Sequence, residues 1–81
     1  MTEGKTTLDQ LSPGQTGKVI KITGNGPLRR RLLDMGITSG TPITVVKESP
    51  LGDPVEYQLR GYRLSLRKTE AKMIEVTDLE R

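Results

Sequence analysis

Apolar and polar residues alternate with a period of two over several short runs, and Gly and Pro stand between the runs, a pattern that predicts a succession of short strands. GKVIKIT, residues 17–23, is the first, with Ile20 and Ile22 on one face and Lys21 and Thr23 on the other. Gly24-Asn25-Gly26 then breaks it. PITVVKES, residues 42–49, is the second, entered through the turn Thr38-Ser39-Gly40-Thr41. It runs into Ser49-Pro50-Leu51-Gly52, whose Ser, Pro and Gly occupy the first, second and last places of a type I turn.

Val55 to Arg60 alternates Val55, Tyr57 and Leu59 against Glu56, Gln58 and Arg60, a third strand, and Gly61-Tyr62 fits a two-residue hairpin loop. Counting outward from that loop onto a fourth strand, Arg63 to Lys68, sets Leu59 opposite Leu64 and Tyr57 opposite Leu66 on the core face, with Glu56 opposite Arg67 outside. The same register puts Arg60 opposite Arg63, a like-charge pair that calls for an anion between them or for both side chains to splay into water. Thr69 is placed to cap a single helical turn through Lys72, and a last strand, Met73 to Thr77, turns Ile74 and Val76 inward.

Between the first two strands the period changes. Pro27 suits the first position of a helix and Gly36 suits the left-handed residue that ends one. Stepping about 100° per residue gathers Leu28, Leu32 and Met35 in one arc with Leu33 beyond it, and places Arg30, Arg31 and Asp34 on the opposite side. Arg29 falls between Leu32 and Leu33, where its stem can cover apolar surface while its guanidinium stays wet. Leu33 is the apolar residue of this helix expected at the surface, because one small sheet cannot bury so wide a stripe. About five short strands and this one helix, set between strands one and two, close most economically into a mainly β, small, partly open barrel.

At 81 residues the chain is one domain with a thin core, since a chain of this size buries only about 60% of the surface its unfolded form exposes. Lys plus Arg number 13 and Asp plus Glu 10, a net charge of +3 that mildly favours an anionic partner. With no Cys and no His, the chain lacks disulfides, thiolate nucleophiles, the commonest metal ligands and the usual general base. It reads as a non-enzyme without catalytic residues or cofactor. Asp34, Glu48, Asp53 and Glu56 are the oxygen donors left for a cation, and they are scattered, so no tight ferrous or other metal site is expected.

Tyr57 and Tyr62 are the two aromatic residues, and Tyr57 is expected inside. Neither an aromatic platform for single-stranded nucleic acid nor a polyproline groove can be built from them, so direct nucleic-acid binding is not expected. No apolar run approaches the ~18 residues of a membrane span. The N-terminus, MTEGKTT, lacks a secretory core, and a cytoplasmic location follows as the expectation.

Five stretches, LSPGQTGKVIKI, GPLRRRLLDMGI, SGTPITVV, PLGDP and RGYRLSLRKTEAKMIEV, in this order from Leu8 to Val76, resemble the FeoA domain family, small cytoplasmic components of bacterial ferrous iron uptake. The resemblance implies an SH3-like barrel that serves as an accessory or regulatory partner of FeoB, a membrane iron permease with a cytoplasmic GTP-binding domain. Ser39 stands where many members carry proline after the helix, a slightly less rigid turn. The same domain type ends metal-dependent transcriptional repressors, and a preceding helix-turn-helix is not expected here. Gly52-Asp53-Pro54 spells a turn and not a phosphate-binding loop.

The boundaries that follow are a flexible leader at 1–7, the barrel at 8–78 and a tail at 79–81. The expected docking residues are Arg29, Arg30 and Arg31, which can form bidentate bonds to a partner's carboxylates, with Leu33 beside them and Gly52 and Asp53 on the loop after the second strand. The competing reading is a small basic barrel that binds nucleic acid, or a stand-alone regulatory module related to the repressor C-terminal domains. Exposed barrel edges leave pairing between copies open.

Overall fold

The computed structural model describes residues 5–78. Its elements are β1 (Lys5–Thr7), a 3-10 turn at Leu8–Gln10, β2 (Thr16–Ile22), α1 (Gly26–Asp34), β3 (Pro42–Glu48), β4 (Val55–Leu59), β5 (Tyr62–Leu66), α2 (Lys68–Ala71) and β6 (Ile74–Asp78). All strands pair antiparallel in one sheet of order β1-β6-β2-β3-β4-β5. No ladder joins β1 to β5, so the sheet is open between them.

The architecture is mainly β with one helix of more than a single turn, as expected, but the sheet has six strands. The additional one, β1, falls within the segment read as a leader, and it forms because β6 offers it a free edge, Thr6 opposite Val76. The remainder of that segment, residues 1–4, and the tail at 79–81 lie outside the described residues.

Strand β2 departs from plain alternation. Val19 and Ile22 are buried and Ile20 only half so, because the pairing with β6 shifts between Val19 and Lys21. A bulge of this kind inserts one residue and re-aims the side chains beyond it, turning the expected Ile20–Ile22 face into a Val19–Ile22 one. A similar shift lies between Val45 and Lys47 in β3. Gly17 is buried because β6 crosses so closely that a Cβ there would lie 2.9 Å from the Thr77 carbonyl oxygen.

The β4–β5 hairpin corrects the expected loop. Leu59 pairs with Tyr62, Tyr57 with Leu64 and Val55 with Leu66, so the two loop residues are Arg60 and Gly61. Both have positive φ, +50° and +83°, the backbone of a type I′ turn, which matches the twist of the flanking strands. The displacement is two residues, and side chains alternate with period two, so Tyr57, Leu59 and Leu66 still face the core. Glu56 faces Ser65 instead of Arg67, and Arg63 reaches back to the Glu56 carboxylate at 3.5 Å.

The core is aliphatic apart from Tyr57. Leu8, Leu32, Ile37, Ile43, Ile74 and Val76 are fully excluded from solvent. Turn and cap predictions at the ends of β3 and α1 hold: Gly52 N–H donates to the Ser49 carbonyl at 2.7 Å, and Gly36, at φ +94°, closes α1. There Gly36 N–H donates to Leu33 and Ile37 N–H to Leu32, the paired bonds of a Schellman motif, with Leu32 and Ile37 both buried beneath it.

Candidate functional site

Helix α1 is held against the sheet by Leu32 and sealed at both flanks by Leu28, Leu33 and Met35, which pack partly buried against the core. Gly26, at φ +77°, turns the chain into the helix and Pro27 follows in its first turn. On the outer side, Gly24 to Pro27 together with Arg29, Arg30, Leu33 and Asp34 line an open surface groove of about 850 Å³. Arg29 and Arg30 are exposed, and no ion pair among the described residues involves either of them. The groove therefore presents two guanidinium groups and the Asp34 carboxylate beside a strip of apolar surface.

The three arginines differ in their contacts. Arg31 turns away from this groove and donates to the Glu70 carboxylate of α2, tying the two helices together. Leu33 is half-buried, less exposed than expected, because it leans on the core while one side lines the groove. Gly52 and Asp53 stand apart from the groove in the β3–β4 loop. Gly52 takes φ +87° in the turn, and the Asp53 carboxylate accepts the Lys68 N–H at 2.8 Å, with the Arg67 guanidinium 3.9 Å away.

Helix α2 is the bridge between these places, and its cap is not the expected one. Thr69 does not cap it. Glu70 does, accepting the Arg67 N–H at 2.8 Å through one carboxylate oxygen while the other meets Arg31. Asp53 satisfies the next free N–H, that of Lys68. One turn of helix too short to persist alone is thus pinned from the β3–β4 loop and from α1.

A second cluster lies at the opposite end of α1, away from the expected docking residues. Arg60 Nε donates to the Gly36 carbonyl at 3.1 Å, and its terminal nitrogen donates to the hydroxyls of Thr38 at 3.0 Å and Thr41 at 2.9 Å. Tyr62 donates its hydroxyl to the Met35 carbonyl. A cation and a phenol from the β4–β5 hairpin thereby bond the Gly36 and Met35 carbonyls just past the helix end, and the positive charge lies at the negative end of its dipole. The signal in the sequence was Arg60-Gly61, since a glycine in second place is what the favoured two-residue turn requires.

Among the described residues no group of three or more Asp and Glu is placed to hold a metal ion. Nor is any helix of them long and apolar enough to cross a membrane.

A model of the FeoA domain family matches residues 6–78. The chain belongs to that family. A relative in Porphyromonas gingivalis, a Fe(2+) transport protein A/Fe(2+) transporter FeoB fusion protein, is 42% identical over 69 residues, which is 85% of this chain and 8% of that protein. The chain thus spans under a tenth of the length of this relative.

The structure of a FeoA-like protein from Clostridium acetobutylicum is 43% identical and superposes with a TM-score of 0.89, covering all of this chain and 93% of that one. Stenotrophomonas maltophilia FeoA, solved with zinc and described as a procaryotic SH3 domain protein, is 29% identical with a TM-score of 0.79 over 88% of each chain. The FeoA fold seen here is accordingly SH3-like. The chain has no His or Cys, so a zinc site built on the nitrogen and sulfur donors that ion prefers does not fit these residues.

Proposed function

We propose that this FeoA-family protein is an accessory component of bacterial ferrous iron uptake that acts in the cytoplasm by binding the GTP-binding part of a FeoB-type permease. The observation that carries the reading is the open groove on α1, where Arg29 and Arg30 stand unpaired among the described residues beside Leu33 and Pro27. Guanidinium groups next to apolar surface are the usual makings of a protein contact, because they give directional bonds to carboxylates at small desolvation cost. The fused relative supports the choice of partner, since there one polypeptide keeps a FeoA part and a FeoB part at high effective concentration.

The protein works by adhesion and not by chemistry. Arg31, Glu70, Asp53 and Arg67 are engaged in salt bridges and helix caps, and the donor set has neither imidazole nor thiol. Charge reversal tests the docking site. Arg29→Glu with Arg30→Glu should weaken binding to the permease's soluble domain at least tenfold without lowering Tm, while Arg31→Glu should cost stability through the lost Glu70 contact and change affinity less. Equal affinity for the wild-type protein and the double variant would remove α1 from the interface.

A further inference from the structure

Among the described residues, Leu51 is 93% exposed, and the other exposed large apolar side chain, Tyr62 at 40%, already has its hydroxyl bonded to Met35. A lone exposed leucine is ordinarily unremarked. This one stands where its own turn does not want it. In Ser49-Pro50-Leu51-Gly52 it takes the third place of a turn whose preferences there run to short polar residues, so the leucine does nothing for the local backbone. It also buries nothing in the fold. A departure from local preference without compensation inside the molecule is a mark of function.

The loop that carries it is held in place. Gly52 N–H donates to the Ser49 carbonyl at 2.7 Å, Ser49 N–H donates to the Pro54 carbonyl at 3.1 Å, and Asp53 is fastened to the start of α2 through the Lys68 N–H at 2.8 Å. Leu51 therefore projects from a turn tied at both sides, with little chain entropy left to lose on binding. Two exposed cations and one carboxylate, Asp53, stand beside the turn. The Lys68 ammonium lies 3.8 Å from where a Cβ on Gly52 would stand, and the exposed Arg67 guanidinium sits 3.9 Å from the Asp53 carboxylate.

We propose that Leu51 is an apolar anchor, and that it inserts into an apolar pocket bordered by carboxylates on the protein partner, with Lys68 and Arg67 meeting that acidic border. This rests on the proposed function in taking the FeoB-type permease as the partner. Helix α2 links the anchor's loop to α1, fastened to that loop by Asp53 and to Arg31 by Glu70. Apolar insertion fixes the position while the charges steer the encounter, the division of labour usual at such contacts.

The test measures binding of the full chain to the same organism's FeoB-type permease in lipid nanodiscs, by biolayer interferometry, with Tm recorded for each variant. Leu51→Ser should weaken binding about tenfold to a hundredfold at unchanged Tm, the effect of leaving one leucine pocket unfilled. Leu51→Met should bind within about threefold of wild type, since volume and apolarity are kept. Lys68→Glu should slow association and reduce the dependence on salt.

If the wild-type protein binds and Leu51→Ser binds equally well, the anchor is overturned and the proposed function stands. No binding by the wild-type protein overturns both. A dimer in analytical ultracentrifugation that Leu51→Ser abolishes, with permease affinity unchanged, would assign Leu51 to a second copy of this chain and overturn the proposal.

Discussion

The Arg60 guanidinium donates to the hydroxyl of the buried Thr41 at 2.9 Å. The same guanidinium holds the end of α1 through Gly36. Arg60 makes these bonds from a backbone at φ +50°, a conformation costly for any residue with a Cβ. Arg60→Ala should therefore cost about 2 kcal/mol, the strain remaining while the bonds are lost. Arg60→Gly should cost about 1 kcal/mol less, because glycine relieves the strain. Urea unfolding of the two variants reads the difference, and equal losses would show that the turn is unstrained.

Tyr57 makes stability depend on alkaline pH. Burial, and then the carboxylates of Asp9, Glu48 and Asp53, push its hydroxyl above the ordinary tyrosine value of 10.0. A raised value in the folded state means that the fold binds this proton more tightly than the unfolded chain does. The contribution is whole below pH ~10 and is lost as pH rises beyond it, by up to about 1.4 kcal/mol per pH unit. Tyr57→Phe should remove this slope. Denaturant titrations of both proteins between about pH 8 and 11 give the comparison. Parallel curves would mean that the hydroxyl ionises as freely in the fold as out of it.

Glu70 joins α2 to α1 and caps α2 at once. Glu70→Gln keeps an acceptor for the Arg67 N–H and loses the ion pair with Arg31, which is exposed and worth under about 1 kcal/mol. Glu70→Ala loses both and should cost about 1–2 kcal/mol. Amide exchange locates the effect: the Ala71 and Lys72 amides, bonded to Arg67 and Lys68 carbonyls, should exchange faster in Glu70→Ala than in Glu70→Gln.

Gly17→Ala should destabilise by about 1–3 kcal/mol, although alanine is the smaller risk in most strands. Its Cβ would lie 2.9 Å from the Thr77 carbonyl oxygen and 3.1 Å from Val76 Cβ, both on β6. Backbone on one side and a buried valine on the other cannot move aside cheaply. A Tm equal to wild type would indicate that β2 and β6 separate without penalty.

What neighbours in the chain decide was legible without the structure. The Ser49–Gly52 turn, the Schellman end at Gly36 and the inward faces of Ile74, Val76, Tyr57 and Leu59 all depend on residues within a few positions of one another. Alternation even survived an error of register, since a two-residue slip of the hairpin returns every side chain to the same face. The residues proposed for docking were identified by type only, as arginines and a loop. Their grouping was not, because Arg31 and Glu70 stand 39 positions apart.

By itself the sequence determined the chemistry open to this protein, since a chain without His or Cys has a restricted donor set wherever it folds, and it determined the alternation of short strands about one capped helix. Tertiary structure alone decided the rest: the bulge that replaces Ile20 by Val19 in the core, the edge that recruits Lys5–Thr7 into the sheet, and the use of Arg60 to close α1. The reason is physical. Faces and turns follow from periodicities of a few residues, whereas edges, bulges and long-range caps exist only once strands distant in the chain lie side by side and leave donors and acceptors to be satisfied.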